Sequence, residues 1–196
     1  MFKRTLLLAS LLATTTTALA AGDLDELRDT GDKKEWRLYK SDKRHNIQVY
    51  VKNEEGQAVR SFRVEAVLEA PVETLARIQF DIDSFPRWYF AVTEAKFLKK
   101  ISDREYIFYM VHDAPVGTPD RDVILKVTID PITKKQPYVF LKFDALPDYL
   151  PARPPYVRML AENYTVKWTP IDKNTTRIEV DGYVDPGGIT PAWAIN

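Results

Sequence analysis

Tyr183-Val-Asp185-Pro186-Gly187-Gly188-Ile189-Thr190-Pro191-Ala192-Trp193-Ala-Ile-Asn196 is the stretch on which the reading of the chain turns. A strand ends in Asp-Pro-Gly-Gly, because Pro and Gly interrupt regular pairing. Pro191 then suits the first turn of a helix, where its fixed φ matches and its missing N–H has no partner to lose. The pattern predicts a helix starting here, with the C-terminal helix itself missing or truncated at Asn196.

Upstream, the chain reads mostly as strands. Residues 36–40, 46–51 and 61–69 form the first group, broken by turns at 41–44 and 53–56. In the third strand Phe62, Val64, Ala66 and Leu68 face inward, while Arg63, Glu65 and Glu69 face outward, the period of two that a half-buried strand requires. Pro71 opens a helix with Glu73 in its first turn and Leu75, Ile78 and Phe80 on its apolar side. Six strands are expected after it, at 93–101, 105–112, 121–130, 138–145, 162–168 and 177–184. Four prolines make 147–155 a rigid loop. Strands joined by short turns give an antiparallel sheet, and the interposed helix makes the class α+β. A curved sheet of this kind can surround a hydrophobic cavity.

The N-terminus suggests export. Lys3 and Arg4 precede an apolar run over 5–13, and Ala18-Leu19-Ala20 is a small-x-small cleavage site. Residues 1–20 are therefore read as a signal peptide, 21–34 as an arm or short helix, and 35–196 as one domain. The expected compartment is periplasmic or secreted. The chain has no Cys, so it uses no disulfide there. Without the leader, 26 basic side chains face 28 acidic ones. No basic field exists to hold nucleic acid.

Several motifs, weak singly, combine into a family resemblance. Ile47-Gln-Val49-Tyr50 precedes the helix; Phe80-Asp81 has Trp88 seven residues on from Asp81; Pro119-Asp120-Arg121-Asp122 opens a strand; Val157-Arg158 is followed by Trp168; and Asp185-Pro-Gly-Gly-Ile189-Thr-Pro191-Ala-Trp193 ends the chain. Together they resemble the StAR-related lipid-transfer (START) domain family, of the helix-grip (Bet v 1-like) superfold, as a bacterial exported member. The resemblance covers about 35–196. It implies a final helix closing a tunnel, and non-catalytic binding, with transfer, of one lipid or other hydrophobic molecule.

Arg121 shares the cavity-side face with Val123, Leu125, Val127 and Ile129. A guanidinium there needs an anionic or carbonyl partner, because an unpaired buried charge is very costly. It is either a polar anchor for ligand or half of a structural salt bridge with Asp113, Asp81 or Asp83. His112 alternates with Tyr106, Phe108 and Met110, and either donates to a ligand or is a satisfied structural histidine. Leu125, Val127, Phe143, Tyr164 and Trp168 belong to the inferred inner face, as cavity wall or as packed core. Trp88 and Phe90, in the loop after the helix, gate the entrance or plug it.

No Gly-x-Ser-x-Gly elbow, Cys nucleophile or phosphate-binding Gly loop supports catalysis, and nothing calls for a cofactor. A metal is not expected, since the two His stand apart and no Cys completes a zinc shell. The rival readings are a cyclase or aromatase of the same superfold, using His112, Arg121, Tyr106 and Tyr164, or a truncated remnant that pairs with a partner. The expected partners are a hydrophobic ligand, a membrane touched transiently, and a second copy covering the place of the final helix.

Overall fold

A computed structural model describes residues 35–54 and 60–188. The leader, the arm and the helix start after Gly188 lie outside the described residues. Among the described residues ten strands form one sheet: β1 (Arg37–Asp42), β2 (Ile47–Asn53), β3 (Arg60–Leu68), β4 (Val92–Lys100), β5 (Glu105–His112), β6 (Arg121–Asp130), β7 (Val139–Ala145), β8 (Val157–Arg158), β9 (Ala161–Pro170) and β10 (Thr176–Asp185). Helix α1 (Val72–Phe80) and a 3-10 turn (Ile82–Arg87) lie between β3 and β4. The order across the sheet is β1-β2-β3-β10-β9-β7-β6-β5-β4, with β8 paired to β6. Every pairing is antiparallel except β8 with β6. The expected α+β class and curved antiparallel sheet are what the structure has.

The concave face carries the main core. Phe108, Val123, Leu125, Val127, Leu141 and Phe143 are buried there. α1 covers part of it through Val72, Leu75 and Ala76, spaced i, i+3, i+4 on one helix stripe. That stripe differs from the expected one: Ile78 and Phe80 lie half exposed, rotated away from the stripe on which Leu75 is buried. The 3-10 turn then repeats the trick at its own period of three, burying Ile82 and Phe85 together. Phe85 stands edge-on to Phe108 at 5.7 Å and to Trp88 at 5.0 Å. Phe85, not Trp88, is thus the aromatic that fills the core below this loop.

The outer face has a second core that the alternation did not anticipate. Ile107, Tyr109, Val111 and Ile124 are buried against Leu98, Leu146 and Tyr156. The proline-rich loop folds back over them, and its end adds β8 beside the start of β6. One ion pair fixes that return. Arg158 grips Asp122 with two hydrogen bonds, Nε to Oδ1 at 3.0 Å and a terminal nitrogen to Oδ2 at 2.9 Å. The same guanidinium donates to the carbonyls of Pro147, Leu150 and Pro151. Asp122 is 0% exposed, so its charge has no solvent to fall back on.

Candidate functional site

Three strands place polar side chains at one end of the sheet, and a fourth places an apolar one beside them. His112 ends β5, Arg121 begins β6 opposite it, Glu162 stands second in β9, and Val184 pairs with Glu162 from β10. These positions point inward by strand period, because His112 follows Phe108 and Met110, and Glu162 precedes Tyr164 and Val166. β5 and β9 are not neighbours in the sheet. Their side chains nevertheless meet, His112 Nε2 lying 3.1 Å from Glu162 Oε2. Curvature of the sheet makes that contact.

A cavity of about 420 Å³ surrounds the pair. Phe90, Ala114, Pro115, Met159, Val184 and Pro186 supply apolar wall; Tyr89, His112, Asp113, Thr118, Arg121 and Glu162 supply polar groups. The size lies toward the lower end of small-molecule sites, about 300–1,000 Å³. A second hollow of about 380 Å³, near the β1–β2 turn, has Asp42, Lys43, Glu65 and Arg177 around it together with Ile47, Ala66 and Val67.

The phenols are held neutral. Burial, and then the charge of Glu162, push Tyr89 up to about 12. Burial, then Tyr89 and Glu162, raise Tyr164 well above its usual value. The two hydroxyls share a hydrogen bond. Tyr106 is raised too, by burial. None of them can act as a base near neutral pH. A phenol whose folded pKa is raised binds its proton more tightly in the native state, so its contribution is intact below the unfolded pKa of about 10 and fades as pH rises through the folded one. We expect stability to drop between about pH 10 and 12, by roughly 3 kcal/mol from Tyr89 alone. Urea melts across that range check it, and a Tyr89→Phe variant should show the smaller drop.

The structure brings His112, Arg121 and Phe90 to the cavity. Arg121 donates to the carbonyl of Pro119. Tyr164 stacks on Phe143 at 4.2 Å. Tyr106, Phe108, Leu125, Val127, Phe143 and Trp168 belong to the buried cluster and are not among the residues lining this cavity. Trp88 is half exposed. Sequence reasoning missed Glu162, Tyr89 and Met159. For Glu162 a signal existed: an acid in phase with Tyr164, Val166 and Trp168 on an apolar strand face. Among the described residues, no cluster of His, Asp and Glu is arranged to hold a metal ion.

The strand order and the helix after β3 are those of the helix-grip fold. The START domain family model matches residues 18–196, and the chain belongs to that family. A STAR-related lipid transfer protein from Xanthomonas axonopodis is 29% identical, superposes with a TM-score of 0.72, and is matched over 81% of this chain and 86% of its own. Human STARD10, at 19% identity and a TM-score of 0.70, shares the fold over 90% of this chain and 72% of its own. An uncharacterized Pseudomonas aeruginosa protein is 25% identical over 162 residues, which are 83% of this chain and 78% of that one.

Proposed function

We propose that the chain binds one lipid or similar hydrophobic molecule in the cavity beside His112 and Glu162, and carries it without chemical change. The observation that carries this reading is the cavity itself, an apolar wall with a few polar groups converging on one spot. Binding then comes mainly from apolar burial, about 25 cal/mol per Å² removed from water. Family membership and the likeness to the Xanthomonas lipid transfer protein support it further.

The carrier loads at a membrane. Phe90 is 92% exposed and Val116 fully so; Phe90 lines the cavity, and Val116 adjoins the lining residue Pro115. Such apolar tips cost little on touching a bilayer. The compartment is the periplasm or the outside of the cell, on the strength of Lys3-Arg4, the apolar run and Ala18-Leu19-Ala20.

Val184→Trp tests the site by filling it. Titration with an apolar fluorescent dye such as Nile red should show affinity weakened more than about tenfold, with the melting temperature nearly kept. Unchanged affinity would mean that ligand sits elsewhere.

A further inference from the structure

We propose that the end of the sheet opposite the cavity docks on an anionic lipid bilayer, through three hairpin tips that each set an exposed isoleucine beside basic side chains. The inference goes beyond the ligand-cavity reading and does not depend on it. Strand register puts four turns at that end: 43–46 between β1 and β2, 101–104 between β4 and β5, 131–138 between β6 and β7, and 171–175 between β9 and β10. His112 and Arg121, which line the cavity, pair at the other end of β5 and β6. Ile101, Ile132 and Ile171 are 46%, 47% and 52% exposed. One exposed apolar side chain is ordinary on a surface. These three occupy corresponding tips, and each lies within three residues of a lysine, at Lys99, Lys134 and Lys173 in turn. Their hairpins are successive in the sheet, along β10-β9-β7-β6-β5-β4, so the tips stand about 10 Å apart, two strand spacings. Backbone bonds close each tip: Ile101 N to the Glu105 carbonyl at 2.9 Å, Thr133 N to that of Gln136 at 2.8 Å, and Ile171 N to that of Thr175 at 2.9 Å. Docking such tips loses little conformational freedom.

Charge selects the partner. In these turns Lys43, Arg44, Arg104, Lys134, Lys135 and Lys173 stand against Asp103 and Asp172. Asp103 is already paired with Lys100 at 2.6 Å, and Asp172 accepts the Asn174 amide at 2.8 Å. The loops of the cavity end, 88–91, 113–120 and 146–156, have the opposite balance, with Asp113, Asp120 and Asp148 against Arg153. The basic excess therefore belongs to one end of a chain whose formal net charge is zero. Basic groups gather at anionic head groups, and apolar tips enter the boundary between head groups and acyl chains. Two such attractions together hold where either alone is marginal. Nucleic acid would take the lysines and leave the isoleucines without a use, whereas a bilayer takes both. Docked this way, the chain holds its cavity off the bilayer by the length of β6, ten residues or about 33 Å.

The test uses vesicles of phosphatidylcholine, alone or with about 30% phosphatidylglycerol. The unaltered protein should sediment with the anionic vesicles at about 50 mM salt, at least about tenfold more tightly than with the neutral ones, and lose that advantage at about 500 mM. Lys134→Gln combined with Lys135→Gln should weaken anionic-vesicle binding about tenfold, and Ile101→Ser combined with Ile132→Ser at least about fivefold. All four positions are exposed, so both variants should keep the fold, which circular dichroism checks. The absence of cysteine allows one site to be labelled at a time. An environment-sensitive dye on Ile132→Cys should report entry into lipid with the anionic vesicles. The same dye on Phe90→Cys should give a signal that does not depend on phosphatidylglycerol. Equal affinity for the two vesicle types would overturn the inference, as would a phosphatidylglycerol-dependent signal at position 90 and none at 132. Undiminished binding in the folded double-lysine variant would overturn it as well. No binding to either vesicle would do the same, and would leave the basic turns to a soluble acidic partner. None of these outcomes bears on the dye titration of the cavity.

Discussion

Asp122→Ala is expected to lower stability by about 3–5 kcal/mol, because it leaves a guanidinium without its anion inside the fold. Asp122 is wholly buried and takes two hydrogen bonds from Arg158. Arg158 in turn holds the carbonyls of Pro147, Leu150 and Pro151. The damage therefore spreads to the loop that covers Tyr109 and Ile124. Urea denaturation measures the loss, and limited proteolysis should cut the variant first within 147–155. A double change, Asp122→Leu with Arg158→Met, should recover much of the deficit, since an apolar pair of similar size avoids the buried charge altogether. A loss under about 1 kcal/mol for the single variant would mean that the pair is no clamp.

Phe85→Ala is expected to cost a similar amount, about 3–5 kcal/mol, through a cavity that the short 3-10 turn cannot collapse. Phe85 is 1% exposed and touches Phe108, Trp88 and Tyr89. Tyr89 lines the cavity proposed to hold ligand, so the variant should lose ligand affinity as well as stability. Thermal melts and the same dye titration separate the two effects. Trp88→Ala, at a half-exposed position, should cost far less, and the contrast between the variants tests which aromatic fills the core.

Much of this fold is legible in the sequence. β5 and β6 can be read to the residue from their bounding turns, and the inward set Arg121, Val123, Leu125 and Val127 follows from period two alone. The inner face of β5 invites the same reading, yet its outer residues Ile107, Tyr109 and Val111 are apolar too. A strand apolar on both sides is covered on both sides. What covers it could not be foreseen, because the cover is a proline-rich loop whose register depends on the Asp122–Arg158 pair, 36 residues apart. β8, two residues long, escapes any periodicity argument. α1 shows how a nine-residue helix misleads: with so few positions, Ile78 and Phe80 look as apolar as Leu75, and only packing picks the stripe Val72, Leu75 and Ala76.

The site was half legible. His112 and Arg121 stand out as polar groups on apolar faces, and Phe90 as an aromatic in a loop. Glu162 carries the same signature, but its meaning lies in a contact with His112 across 50 residues and between strands that are not paired. Long-range contacts made by sheet curvature leave no local trace in sequence. Gly182 shows curvature acting locally: a Cβ there would lie 2.3 Å from that of Tyr164, so β10 passes β9 too closely for any side chain at this point.

Native mass spectrometry of the protein, purified from its expression host and then extracted with organic solvent, tests the central claim most directly. The account predicts one hydrophobic molecule per chain, released chemically unchanged, and absent from Val184→Trp prepared in parallel. A protein that arrives empty, and stays empty after incubation with a total lipid extract of the host, would contradict it.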